Sequence, residues 1–274
     1  MSKKTAFTTL IAKSLSDYLS HSMKIRESWE TKKKFIDPWF RGLSSVNHTL
    51  LPGWYRLGKR AKGIDEDDLQ DEFQRRAVPL LEGRQPQSLW EWSFLMQHYG
   101  LPTRLLDWSE SSLVGLYFAV GDWQGKGGKP NADAVVWMLD PWYLNQWSKG
   151  KNEVFRYDRR KIARYFSKQL FKKDRFPKKP IALMPHHNNR RLTAQRGVFT
   201  MHGKINKPLE VMLASEEKPR LAKIVIPKKH IIKIREEIQL TGISDIMFFP
   251  EMAYLCQDIM KSWELAGAPV EAII

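Results

Sequence analysis

Apolar residues along the chain recur at two periods, and the changes of period mark its elements. Residues 5–20 carry Leu10, Ile11, Leu15 and Leu19 at helical spacing, which predicts an N-terminal amphipathic helix. FIDPWFRG, residues 35–42, reads as a short extended run, which Pro38 restricts to a sheet edge or a strand start. Residues 64–78 place acids in a first turn and arginines in a last one, the arrangement a helix dipole favours. SLWEWSFLMQHYG, residues 88–100, is a further helix closed by Gly100 and Pro102. RLLDW reads as a short strand, and SESSLVGLYFAV opens an apolar helix near Ser109 or Glu110. ADAVVWMLD, residues 132–140, is apolar without alternation and predicts a buried strand. GVFTMHG and AKIVIPK supply two more strands, IIKIREEIQL and PEMAYLCQDIMKSWEL late helices, and residues 121–133 a surface loop. Short strands between helices of unequal length predict an α+β fold rather than a regular βαβ alternation.

Composition narrows the class. The 274 residues are 42% hydrophobic, enough for one substantial core. A single cysteine, Cys256, forms no internal disulfide, and no Cys/His spacing suits zinc, so no metal is expected. No apolar stretch approaches the roughly 20 residues that span a bilayer, and the first residues do not read as a signal peptide. The expectation is a cytoplasmic protein.

Charge changes the picture most. A formal net charge of +15 and a pI near 9.8 predict a polyanionic partner, and nucleic acid is the foremost candidate. The densest basic stretch is residues 154–180, where Arg159, Arg160, Lys172, Lys173 and Arg175 alternate with Tyr157, Tyr165, Phe166, Phe171 and Phe176. Phosphate contact with base stacking needs such a mixture. The same aromatics also suit the buried face of an amphipathic helix whose basic residues are solvated.

One stretch resists a plain core reading. QHYGLPTRLLDWSESS, residues 97–112, crowds Gln97, His98, Tyr99, Thr103, Arg104, Asp107 and Ser109 against a hydrophobic helix. Polar groups entering a core must pair with one another or bind a ligand. No P-loop, GxGxxG, GxSxG or HExxH motif accompanies them. His186 and His187 are adjacent and suit a solvated loop better than a metal.

WFRGLSSVNHTLLPGWYR and QHYGLPTRLLDWSESSLVGLYFAV, with LTAQRGVFT, AKIVIPKK and TGISDIMFFPEM in that order, resemble the FRG-domain family, named for an aromatic-Arg-Gly motif. Gly115 stands where the family usually has Ala, and Glu251 where it more often has Asp. The resemblance divides the chain into an N-terminal helical extension, 1–35, and a domain over 36–274 with a basic insertion at about 141–185. The Arg-Gly, the later Ser and the apolar helix are in turn similar to ADP-ribosyltransferases of the Arg-Ser-Glu type. That likeness implies small mixed sheets flanked by helices, with NAD as substrate. Arg41 then holds the diphosphate and ribose, Ser109 shapes the nicotinamide pocket and Glu251 orients the ribose and activates the acceptor. Gly42, Gln97, His98, Tyr99, Thr103, Arg104 and Trp108 complete the dinucleotide site. Glu210 and Glu72 are alternative acids, and Lys223 occupies a strand position where some transferases carry theirs.

Each assignment has a plainer reading from the residues. Arg41 suits a surface ion pair, Arg104 and Asp107 suit each other, and His98 suits a structural histidine. Asp107 and Ser109 suit helix caps, as do Gln195 and Glu251. The resulting expectation is a transferase that modifies nucleic acid, RNA before DNA, acting as a toxin or phage-defence effector with a neutralising partner. A binding module without chemistry, a transferase acting on protein, and a nuclease using His98 and Arg104 are the alternatives.

Overall fold

The computed structural model describes residues 7–31, 35–81, 85–121, 130–157, 162, 165, 176–186 and 190–262. Eight strands, β1 (Thr8–Ile11), β2 (Trp39–Leu43), β3 (Leu105–Ser109), β4 (Ala134–Leu139), β5 (Phe155–Arg156), β6 (Ile181–Met184), β7 (Gly197–Met201) and β8 (Leu221–Ile226), form one mixed sheet. Its order is β1-β8-β4-β2-β3-β7-β6-β5, parallel at the two outer pairs and antiparallel between them. Helices α1 (Leu15–Trp29), α5 (Ser112–Val120) and α9 (Lys228–Leu240) cover one face of the β1–β4 half. On the other face Trp39, Trp108 and Trp137 pack with α6 (Pro141–Lys149) and α8 (Leu209–Leu213). The architecture is α+β.

The N-terminal helix begins later than its periodicity predicts. Residues 8–11 are β1, paired with residues 222–225, and α1 starts after Ser14, whose hydroxyl accepts the Asp17 amide at 3.1 Å. Thr8, Thr9 and Ile11 are β-branched and gain more from a ladder than from a helix turn. The buried face is therefore Tyr18, Ser22, Ile25 and Trp29, while Ile11 and Leu19 stay exposed. This segment contributes both to the sheet and to its main core.

Pro38 precedes β2, so the proline marks the strand's start, and β2 itself lies in the middle of the sheet. Its ladder with β4 runs over five residues, whereas with β3 it pairs only at Phe40–Ser109. The sheet opens beyond that pair. Gly42 and Gly115 let α5 lie directly on the opening strand: a Cβ on Gly42 would strike the Gly115 carbonyl and the Ala119 amide. One on Gly115 would come within 2.7 Å of the Phe40 Cβ. Gly42 thus admits a helix backbone, where the resemblance to ADP-ribosyltransferases placed it in the dinucleotide site.

Candidate functional site

Helices α3 (Glu66–Ala77) and α4 (Leu89–His98), the β2–β3 opening, α5 and α7 (Arg190–Ala194) enclose a cleft of about 1350 Å³. Arg41, Gly42, Gln97, His98, Tyr99, Trp108, Ser109 and Glu251 border it, drawn from four separate segments.

The opening of the sheet explains the floor. Beyond Phe40–Ser109 an antiparallel ladder would place Arg41 against Trp108 and then Gly42 against Asp107, but the strands have parted there. The Arg41 guanidinium reaches across and its Nη1 donates to the Asp107 carbonyl at 2.5 Å, with the Asp107 carboxylate 3.5 Å away. The same carboxylate accepts Gln97 Nε2 at 2.8 Å, and Gln97 Oε1 accepts the Thr103 hydroxyl at 2.6 Å. The crowded polar residues are thus largely one hydrogen-bonded chain, Thr103–Gln97–Asp107–Arg41. Arg41 Nε is buried in the cleft wall with no hydrogen-bond partner among the described residues. Burial pushes the guanidinium below its ordinary value, opposed by Asp107 and reinforced by the nearby charge of Arg56.

Ser109 ends β3 beneath α5. Its hydroxyl donates to the Gln195 carbonyl at 2.7 Å and accepts the Ser111 amide at 2.9 Å. Ser111, rather than Ser109 or Glu110, is the N-cap of α5. Strand alternation places Asp107 and Ser109 on the cleft face of β3 and Trp108 on the other. Trp108 is buried among the second-face aromatics, with its Nε1 donating to the Thr200 hydroxyl at 3.0 Å. It is therefore not free to stack on a ligand ring. Tyr99, 70% exposed at the cleft mouth with its ring edge-on to His98, is.

Thr103 and Arg104 do not reach the cleft. Thr103 is buried and acts through Gln97. Arg104 is buried against the Glu66 carboxylate, donates to the Tyr165 carbonyl at 2.6 Å and lies over the Phe176 ring at 4.8 Å. It braces the fold, and its partner is Glu66 rather than Asp107. Nothing local marks Glu66 in the sequence, because it reads as one more acid in a first helical turn.

His98 sits on the rim. Burial and the Arg191 charge push its imidazole down, while Glu251 and Asp107 pull it up. Glu251 is exposed and begins α11 (Met252–Ser262), its carbonyl accepting the Tyr254 and Leu255 amides at 3.0 and 3.2 Å. The alternative acids lie elsewhere. Glu210 is spent on the Leu50 amide, burial raising its pKa first of all, and Glu72 pairs with Arg75 and Arg76. Lys223 lies over Trp137. Residues the sequence reading missed include Phe73, Phe94 and Phe199, which give the cleft apolar walls, and Arg190 and Arg191 at its mouth. In the sequence these read as ordinary core and surface positions.

Of the basic stretch, Arg159, Arg160, Lys172, Lys173 and Arg175 lie outside the described residues, as do Phe166, Phe171 and His187. Tyr157, Tyr165 and Phe176 are buried, which takes the core reading of these aromatics over the stacking one. His186 accompanies Tyr157 at a ring distance of 4.8 Å. Among the described residues no helix is long and apolar enough to cross a membrane, and no three His, Cys, Asp or Glu side chains gather as a metal would require.

Residues 37–126 match the family model of the FRG domain. That span includes β2, β3 and α5, and with them the Thr103–Gln97–Asp107–Arg41 chain. No curated protein and no solved structure matches the chain.

Proposed function

We propose that the cleft binds NAD and that the protein transfers ADP-ribose from it to nucleic acid. The observation that carries this reading is the convergence of Arg41 and Ser109 on the parted strands of one large cleft. Its volume of about 1350 Å³ exceeds the roughly 300–1,000 Å³ usual for small-ligand pockets, which suits an extended dinucleotide. Arg41 offers a permanent cation and a buried donor that no group among the described residues uses, the features a diphosphate requires. The apolar walls and Tyr99 provide surfaces for the two ring systems.

In the transfer, the bond between nicotinamide and the ribose anomeric carbon breaks and the electron pair leaves with nicotinamide. The acceptor's nucleophilic atom then bonds to that carbon and loses its proton. Developing positive charge on the ribose is stabilised by a nearby carboxylate. Glu251 and Asp107 are the candidates, and Glu251 is the one whose carboxylate has no hydrogen bond or ion pair among the described residues. The net charge of +15 supports a polyanionic acceptor. Unrestrained, such an activity would harm its own cell, consistent with a toxin or defence effector held by a neutralising partner.

The test is nicotinamide release from NAD by the purified protein, with and without RNA. Arg41→Ala is expected to reduce it at least about a hundredfold, and removing the charges of Lys172, Lys173 and Arg175 together to weaken only the RNA-dependent reaction. NAD left intact with RNA, DNA and protein acceptors all present would overturn the reading.

A further inference from the structure

Gln195 occupies a junction that neither the cleft chemistry nor the fold alone explains. It follows α7 directly and precedes β7. Its backbone carbonyl accepts the Ser109 hydroxyl at 2.7 Å, and its side-chain Nε2 donates to the Phe248 carbonyl at 3.0 Å. Phe248 ends α10 (Asp245–Phe248), and only Phe249 and Pro250 separate it from Glu251. From there the chain is stiff. The Glu251 amide donates to the Phe249 carbonyl at 2.7 Å, and the Glu251 carbonyl opens α11. Phe249 is buried with the Arg191 guanidinium 4.4 Å from its ring centre and Tyr254 stacked on it at 4.5 Å. Apolar packing and the Tyr117 hydroxyl, which donates to the Asp245 carboxylate, hold the start of α10. The Gln195 amide supplies the directional hydrogen bond at its end, where the chain turns toward Glu251.

We infer that Gln195 is the positioning residue for Glu251, its side-chain amide fixing the 248–251 segment against the strand end that carries Ser109. One residue thereby ties the Ser109 strand end to the segment that leads into Glu251. An amide suits the task where an acid would not: a carboxylate at this position would face the Phe248 carbonyl with no proton to share. The structural half of this assignment stands by itself, and its catalytic half rests on the transferase reading above.

The test uses Gln195→Met, which keeps the side chain's length and removes the amide, with Glu251→Gln for comparison. His98 reports where the Glu251 charge lies, because that carboxylate raises its pKa while Asp107 also raises it and Arg191 lowers it. In the full-length protein, followed by NMR at a temperature well below unfolding, Glu251→Gln should lower the His98 midpoint. Gln195→Met should lower it too, though it changes no charge, and the double variant should go no lower than Glu251→Gln. Amide exchange over 249–255 should quicken in Gln195→Met while β7 stays protected. With NAD, kcat should fall roughly tenfold to a hundredfold at constant KM. A His98 midpoint and 249–255 exchange both unchanged in Gln195→Met would overturn the assignment. Absence of NAD turnover in the unaltered protein would instead sink the transferase reading, leaving the titration and exchange to decide Gln195.

Discussion

Arg196 has a φ of 47°, the one left-handed non-glycine residue among those described. It closes α7, its amide donating to the Thr193 carbonyl at 3.0 Å, and it sits beside the Gln195 carbonyl that receives Ser109. A left-handed non-glycine residue costs on the order of 1 kcal/mol, and glycine normally fills this position after a helix. The Arg196 side chain recovers little of that, since it is 63% exposed and its contact with Glu110 is 3.8 Å long. Arg196→Gly is therefore expected to raise the thermal midpoint modestly, by up to about 1 kcal/mol of stability. A lowered midpoint would show that the side chain has work in the folded state that these contacts do not reveal.

The same scale shows what the sequence made legible. That residues 97–109 hold too many polar groups for a core face is visible in the string itself. Their partners are not, because Arg41 lies 66 positions from Asp107 and Glu66 lies 38 from Arg104. Strand alternation could have removed Trp108 from the site, since it points away from Asp107 and Ser109 on any strand. No local pattern could have shown that Arg104 turns inward.

Among elements, the crossing of β2 and α5 stands directly beside the cleft, on the strand that parts from β3. Both glycines of the crossing are tight, but their neighbours differ. A methyl on Gly42 meets the backbone of Gly115, Phe118 and Ala119, which cannot yield without shifting the helix. A methyl on Gly115 meets side-chain atoms, the Phe40 Cβ at 2.7 Å and a Val136 methyl at 3.3 Å. Overpacking typically costs about 1–3 kcal/mol, and more where backbone must move. Gly42→Ala should accordingly lower the urea midpoint more than Gly115→Ala, and an equal or reversed order would mean that α5 shifts freely. The glycine in the aromatic-Arg-Gly motif thus has a packing reason independent of any ligand. Element periodicity revealed the central strands and the helices around them. It failed at residues 8–11, where four residues fit both periods and only pairing with β8 decides. It also passed over β5, β6, α6 and α8, short elements whose burial comes from distant contacts: α6, α8 and Ala182 on the second face, and Phe155, Ile181 and Leu183 against Trp90 and Phe199.

For the whole molecule, pH is where buried chemistry reaches global stability. His202 ends β7's run into the core with no exposed surface, its ring 6.2 Å from that of Tyr55. Burial, reinforced by the Arg104 charge and opposed by contact with the Lys207 backbone, pushes its pKa down from 6.5 to about 3. Between those values the unfolded chain binds a proton at His202 and the native protein does not, so stability falls as pH falls. The loss begins near pH 6.5 and amounts to about 1.4 kcal/mol for each pH unit until the native value is approached. His98, lowered chiefly by burial, adds in the same direction. Glu210, raised by burial, acts oppositely, since its native carboxyl holds its proton more tightly than the unfolded one. Denaturant titrations at pH 7 and pH 5 should show a marked loss for the unaltered protein. His202→Phe, which fills the space without a titrating group, should show a smaller one. If the two lost stability equally, the acid sensitivity would not reside at His202.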